Sequence, residues 1–239
     1  KYFFLENNKN LGCGYGHNTG YEIAIKFNFK YVARIDNDMI MPKNFFSNII
    51  SKIDNKENIQ AISPKIMYKF EKNKIWWRGT TIGNNLKIQR HLRNYPYGEK
   101  DNKKLKGLIE TDAIAGCASI MRVDRLKKIG LSDPDFFYGP EDIELSNRLQ
   151  KIGKLLVNQK AIAFHKIATS SSITGVKNRT FQSTFGFLKL IEKIGTKSDK
   201  LIGYFYFILR LFYFKFTKQR EYYDGYHSAI KKFFLKKNN

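Results

Sequence analysis

Cysteine is nearly absent: Cys13 and Cys117 are the only two in 239 residues. Two are too few for a disulfide framework, and neither lies in a Cys-x-x-Cys or clustered Cys/His spacing that would hold zinc. A reducing compartment suits such a chain. The sequence opens on Lys1 rather than Met, and its first residues have neither the apolar core nor the cleavage pattern of a signal peptide. It is expected to begin inside a longer protein. No uninterrupted run of about 20 apolar residues is present, as a membrane span would need. Gly12, Gly14 and Gly16 punctuate the first segment, but there is no Gly-x-Gly-x-x-Gly after a strand and no Gly-Lys-Ser/Thr. The dinucleotide and phosphate-loop fingerprints are therefore unmet. No internal repeat is visible either.

Acid is also scarce, with 21 Asp and Glu against 43 Lys and Arg, for a formal charge of +22. A basic field of that size concentrates anions: phosphates, nucleic acid or an anionic membrane face. The same chain is rich in Asn, Ile, Phe and Tyr, as an AT-rich coding sequence would make it, so only part of the excess carries a functional reading. An apolar content of 42% supplies a core for one α/β domain with an appendage.

Along the chain, the glycine-punctuated segment 10–20 reads as a loop feeding a helix over 21–27. Tyr31 to Ile35 is β-prone and stops at Asp36-Asn37-Asp38, with Pro42 starting another helix. Three polar side chains thus sit at a strand's C-terminal end, where open α/β sheets bind ligands. Gln60 to Ser63 predicts a strand ahead of Pro64, and Phe70 to Lys106 predicts loops and short strands. Thr111 to Met121 reads as a buried strand containing Gly116, and Asp124 to Ile129 as a short helix capped by Asp124 and closed by Gly130. After the aromatic loop Phe136-Phe137-Tyr138, Pro140 to Ile152 has the clearest helical pattern: proline and acids first, bases last, Gly153 after it. Leu155 to Val157 and Ala161 to Phe164 predict two strands, the second running into His165.

The character changes near Gly175, dividing the chain into a catalytic-type domain over 1–175 and a basic, aromatic-rich helical region over 176–239. Leu201 to Phe216 is broken only by Arg210 and Lys215. It predicts either an interfacial helix or one buried against the main domain.

Chemistry centres on two acidic pairs. Asp36 and Asp38 flank one residue where a strand stops; hard oxygen donors so placed hold Mg²⁺ or Mn²⁺, and they serve equally as a turn or helix cap. Glu141 and Asp142 lie in a helix's first turn, where the macrodipole alone favours acids. The aromatic loop before them is expected to wall off solvent and hold a carboxylate near a substrate hydroxyl as a general base. His165 closes a strand and is either a metal ligand or structural.

Taken in order, these segments resemble family 2 glycosyltransferases of the GT-A fold, in the rhamnosyltransferase-like branch. The resemblance runs from Glu6 to Ser172. It rests on Glu6 to Gly12 with Gly16, Asn18 and Gly20; on Asp36-Asn37-Asp38; and on Ser63 to Ile66 with Ile75-Trp76-Trp77-Arg78-Gly79. Gly116, Met121-Arg122, Ile129 to Asp133, Phe136-Phe137, Glu141-Asp142, Arg148, Gly153 and Ala161 to Lys166 complete it. It implies a GT-A-type mixed α/β sheet flanked by helices, lacking the usual first strand, with a C-terminal helical appendage.

It further implies a metal-dependent, inverting transferase that moves a sugar from a nucleotide-diphosphate donor to a hydroxyl of a glycan or lipid-linked acceptor, in polysaccharide or cell-surface glycan synthesis. Asn10, Gly12, Asn18 and Asp36 would contact the donor, while Asp36, Asp38 and His165 would hold Mg²⁺ or Mn²⁺. Asp142 would be the base, with Glu141 beside it. The implied location is cytoplasmic, peripheral on the inner face of the membrane through an anionic surface, and no nucleic-acid partner is expected. Two alternatives stay open: a basic nucleic-acid-binding protein, and a metal-dependent nucleotidyltransferase releasing diphosphate.

Overall fold

The β-prone runs assemble into one mixed sheet in the computed structural model, which describes residues 4–54, 56–71, 73–82, 98–101, 106–166 and 175–237. Its strands are β1 (Tyr31–Ile35), β2 (Met39–Ile40), β3 (Ile59–Tyr68), β4 (Ile75–Trp77), β5 (Leu108–Glu110), β6 (Ala118–Arg122) and β7 (Lys154–His165). Around them lie α1 (Gly12–Lys26), α2 (Phe45–Ile50), α3 (Val123–Ile129), α4 (Glu141–Gln150), α5 (Val176–Ile194), α6 (Lys197–Phe216) and α7 (Arg220–Lys237). The sheet order is β1-β6-β3-β7-β2, with β4 added to β3 and β5 to β7. β3 and β7 are parallel and every other pair is antiparallel. Because β1 and β3 both oppose β6, they run the same way. The C-terminal ends of β1, β3 and β7 therefore share one edge of the sheet.

Alternation along the strands sorts side chains to two faces. Ala61, Met121 and Leu155 meet Tyr21 of α1, Leu126 of α3, and Leu145 and Leu149 of α4. On the other face Ile62, Ile66, Ile120 and Ala163 meet Phe45 and Ile49 of α2. Leu145 and Ile49 are wholly buried, so truncating either to Ala should cost about 2–5 kcal/mol.

Several local expectations are revised. The glycines of segment 10–20 do not form a loop but the first turns of α1. Gly12 has φ +79°, and a Cβ on Gly14 would come within 2.5 Å of the Asp133 carbonyl oxygen. Only glycine lets this helix lie so close to the 133–137 loop. The amides of Cys13 and Gly14 donate to the carbonyls of Phe137 (2.7 Å) and Phe136 (3.2 Å), which satisfies part of the helix N-terminus. β3 does not end before Pro64 but continues to Tyr68, its register with β7 shifting between Pro64 and Lys65. A bulge is where a sheet tolerates a proline.

The strand expected from Thr111 shortens to β6, which begins at Ala118. Asp124 lies inside α3 while Arg122 occupies the N-cap, with no side-chain capping bond. Leu155 to Phe164 forms one strand rather than two. Residues 72, 83–97 and 102–105 of the loop expected between Phe70 and Lys106, and the end of the resemblance at Ser172, lie outside the described residues.

The C-terminal helices are built onto this sheet. Leu190 of α5 joins Ala113, Phe136 and Ile143 in one apolar cluster, and Lys193 pairs with Asp133 and Glu144, both at 2.8 Å. Phe207 of α6, with Ala229 and Phe233 of α7, packs on Phe185, Leu188 and Ile191 of α5. A capping box between Thr196 and Asp199 starts α6. Gly203, Phe207 and Phe214 are its inward apolar positions, whereas Leu201, Phe205, Leu209, Phe212 and Phe216 are exposed. Among the described residues no helix is long and apolar enough to cross a membrane.

Candidate active site

The shared sheet edge brings the acidic motifs together. β1 ends at Ile35 opposite Ala118 of β6, and the Asp36 amide donates to the Cys117 carbonyl (2.9 Å). Met39 of β2 pairs with His165 at the end of β7, and the Lys166 amide donates to the Asp38 carbonyl (3.0 Å). Asp38 and His165, 127 positions apart, thus come to lie side by side, Oδ2 to Nε2, at 3.1 Å. Trp76 of β4 stands edge-on to the His165 ring at 4.4 Å between centroids.

Two features of this corner suit a divalent cation. The second carboxylate oxygen of Asp38, Oδ1, is buried with no hydrogen-bond partner among the described residues, as is His165 Nδ1. Carboxylate with imidazole is also a donor set that Mn²⁺ accepts readily. Among the described residues no three His, Cys, Asp or Glu side chains are already gathered as a complete cage. The corner fits an ion that takes its remaining oxygens from a ligand or water. Burial pushes the Asp36 carboxyl up, with Arg34 opposing and the charges of Asp38 and Glu141 adding to the rise; a cation nearby would hold it ionised.

Arg34 is the residue that sequence reasoning missed. It is buried in β1, two positions before Asp36. Its Nη2 donates to Glu141 Oε1 at 2.6 Å, and both side chains are more than nine-tenths buried. Glu141 is thereby committed to an ion pair. Its neighbour Asp142 is in no ion pair among the described residues: its Oδ1 accepts from the adjacent Ile143 amide (2.9 Å), and its other oxygen lies 2.7 Å from where a Cβ on Gly116 would stand. A larger residue at 116 would displace that carboxylate. Burial first, then the negative charge of Glu141, raises the Asp142 carboxyl from 3.8 to about 6, against the pull of Arg34. An arginine in an otherwise apolar strand, in phase with Asp36, was the available signal.

Two cavities flank the edge. One of roughly 500 Å³ is lined by Gly16, His17 and Tyr21 of α1 and by 32–38, including Asp36 and Asp38. Burial, reinforced by Arg34, lowers His17 to about 4, so it is neutral at physiological pH. The other, roughly 270 Å³, is walled by Trp76, Gly116, Pro140, Asp142, Ser183 and Phe187, which sets Asp142 beside an aromatic ring and two residues of α5.

The remaining sequence candidates lie apart from these cavities. Asn10 is exposed and accepts from the Gly12 amide (2.9 Å). Gly12 lies beneath Phe137. Asn18 is buried and spends both ends of its amide on Ser132, at 2.8 and 2.9 Å. In this structure all three shape and anchor α1.

The sequence model of the family described as Glycosyl transferase family 2 matches residues 1–130. No curated protein matches the chain in sequence. Among solved structures it is similar to the mannosyltransferase PcManGT from Pyrobaculum calidifontis in complex with GDP-Man and Mn²⁺, at 10% identity and a TM-score of 0.50, over 95% of this chain and 56% of that one. It is also similar to GalNAc-T7 with UDP, GalNAc and Mn²⁺, at 15% identity and a TM-score of 0.49, over 67% of this chain and 31% of that one. The chain spans about a third to just over half of the length of these two proteins.

Proposed function

The chain belongs to glycosyl transferase family 2 and has a GT-A-type fold, and from that premise we propose that it transfers a sugar from a nucleotide-diphosphate donor to an acceptor hydroxyl with inversion at the anomeric carbon. The observation that carries this reading is the division of labour at the start of α4. Arg34 claims Glu141, leaving Asp142 as a half-buried carboxylate facing the cavity beside Trp76. A sugar hydroxyl is a weak nucleophile at neutral pH, and a carboxylate titrating near 6 is ionised there yet more basic than an ordinary Asp. Asp142 takes the hydroxyl proton as the oxygen attacks. The ion pair on Glu141 fixes the helix turn that aims it.

Donor charge is met at the opposite corner. Asp38, with His165 and Asp36, would hold Mg²⁺ or Mn²⁺, and such an ion, when bound, neutralises the departing diphosphate. The mannosyltransferase with the same fold was solved with a nucleotide sugar and Mn²⁺, which supports this choice of donor and metal. Trp76 packs on the His165 ring and also lines the Asp142 cavity, so it would separate the two substrates and exclude water. Family membership favours glycosyl transfer over the nucleic-acid-binding and nucleotidyltransferase alternatives.

The acceptor belongs to a glycan or a lipid-linked glycan, and α6 docks the protein on an anionic membrane face. Its exposed Leu201, Phe205, Leu209, Phe212 and Phe216 recur at helical spacing, and Lys197, Lys200, Lys215 and Lys218 flank them, as in an interfacial helix. The deciding experiment incubates the protein with a panel of nucleotide sugars, Mn²⁺ and glycan acceptors, and measures release of nucleoside diphosphate together with the anomeric configuration of the product. Release of inorganic diphosphate, or a product with retained configuration, would refute the proposal.

A further inference from the structure

A third cavity, roughly 380 Å³, lies outside both substrate corners, between α5, α6 and α7. Arg179, Thr180, Ser183 and Thr184 of α5 line one side of it, with Arg210 of α6 and Tyr226 of α7 opposite. No carboxylate contributes to its described lining. Neither arginine forms an ion pair among the described residues, whereas Lys189 and Lys193, further along α5, are paired with acids. Arg210 is held in place by rings rather than by an acid: its guanidinium lies over Phe214 at 4.8 Å, Tyr226 at 5.8 Å and Tyr206 at 5.9 Å. Its Nε is buried with no hydrogen-bond partner among the described residues. A guanidinium oriented by aromatics, with a donor unspent, is prepared for an anion.

The position of this cavity indicates what the anion belongs to. Ser183 borders both this cavity and the one containing Asp142. Along α5, Phe187 lines the Asp142 side and Arg179 the basic side; eight residues of helix span about 12 Å. Asp36, Asp38 and His165 are absent from this cavity's described lining. We propose that it is an acceptor subsite for a phosphate or diphosphate group, so that the acceptor presents its hydroxyl to Asp142 and its anionic end to Arg179 and Arg210. Two guanidinium forks with hydroxyl donors between them match the geometry of phosphate oxygens. The assignment of the subsite to an acceptor rests on the reading of Asp142 as the base; its capacity to bind phosphate does not.

Inorganic pyrophosphate, titrated calorimetrically into the protein in the presence of EDTA, is the first probe, because chelation removes any metal-borne binding at Asp38. Saturable binding is expected, weakened about tenfold or more in Arg179→Gln and unchanged in Asp38→Ala. Absence of saturable binding, or unchanged affinity in a folded Arg179→Gln protein, would overturn the subsite. Should Arg210→Gln fail to fold after losing its place among the rings, Arg179→Gln decides alone. Competition then identifies the source of the phosphate. Phosphatidylcholine vesicles doped with a polyprenyl phosphate should displace pyrophosphate if the acceptor is lipid-linked, and a soluble sugar phosphate should do so if it is not. Displacement by neither overturns the acceptor role. Turnover surviving Asp142→Asn would sink the base reading while leaving pyrophosphate binding intact, so the two failures are separable.

Discussion

Glu141 and Asp142 are adjacent acids in the same helical turn, and the structure gives them opposite responses to the same change. Asp142→Asn removes a carboxylate that burial and Glu141 have raised from 3.8 to about 6. Its ionised form is disfavoured in the fold, so above pH 6 the wild-type residue subtracts stability, by at most about 3 kcal/mol. That loss sets in as pH rises from about 4 to 6 and is absent below. The Asn variant should therefore unfold at an equal or higher temperature at pH 7.5, while turnover falls about 10²–10⁴-fold, the usual worth of a general base.

Glu141→Gln does the reverse to the fold. It leaves the Arg34 guanidinium, buried and 2.6 Å away, without its counter-charge, and breaking one side of a buried pair costs about 3–5 kcal/mol. A retained amide hydrogen bond puts the expectation at the lower end, about 3 kcal/mol, or roughly 6–12 °C in Tm for a chain of this size. Thermal unfolding at pH 5.0 and 7.5, paired with turnover of whichever nucleotide sugar the wild type uses, measures both. The reasoning fails if Asp142→Asn is the less stable of the two, or if it keeps near-normal turnover.

The same geometry sets four further outcomes. With Asp142 as the base, kcat/KM should fall below a pH of about 6 as its carboxylate is protonated; a flat profile down to pH 4.5 would rule it out. Mn²⁺ with a nucleoside diphosphate should raise the Tm of the wild type but not of Asp38→Ala, and equal stabilisation in excess chelator would refute the metal reading. Phe205→Asp with Phe216→Asp should abolish flotation with phosphatidylglycerol vesicles, which in the wild type should weaken with salt; if wild-type protein stays in the soluble fraction, α6 has another role. Gly186→Ala on α5 drives a Cβ into the Gly139 carbonyl just before α4 and should cost about 1–3 kcal/mol, read as a lower urea midpoint; no change would mean that the α5 contact is loose.

Much of the candidate site was legible because its parts are local. Asp36 and Asp38 could be placed at a strand end since β-prone residues stop abruptly before them, and the helix carrying Glu141 and Asp142 announces itself by Pro140, a first turn of acids and Gly153. What composition and spacing cannot carry is pairing between distant segments. Nothing near His165 in sequence says that β2 will pair with the end of β7 and bring Asp38 to its ring. Nor could spacing decide between Glu141 and Asp142, because the decision belongs to Arg34, more than a hundred residues earlier, and to the absence of a side chain at Gly116.

The same limit explains the glycines at the start of α1. In sequence they look like a loop, since glycine disfavours helix, yet the close approach of the 133–137 loop requires them within one. Residues 201–216 show the division most plainly. Their apolar richness was evident, but whether a ring faces its neighbours or water depends on where the helices before and after them lie, and only the tertiary structure sends Phe207 inward and leaves Phe205 exposed. Sequence by itself determined which residues have the chemistry and where several elements lie, β1 and α4 above all, because backbone preference and side-chain type are properties of neighbours in the chain; it misread the start of α1 and the extents of β3, β6 and β7. The tertiary structure decided which acid is paired, which is free and which faces a cavity, because burial and charge are properties of neighbours in space.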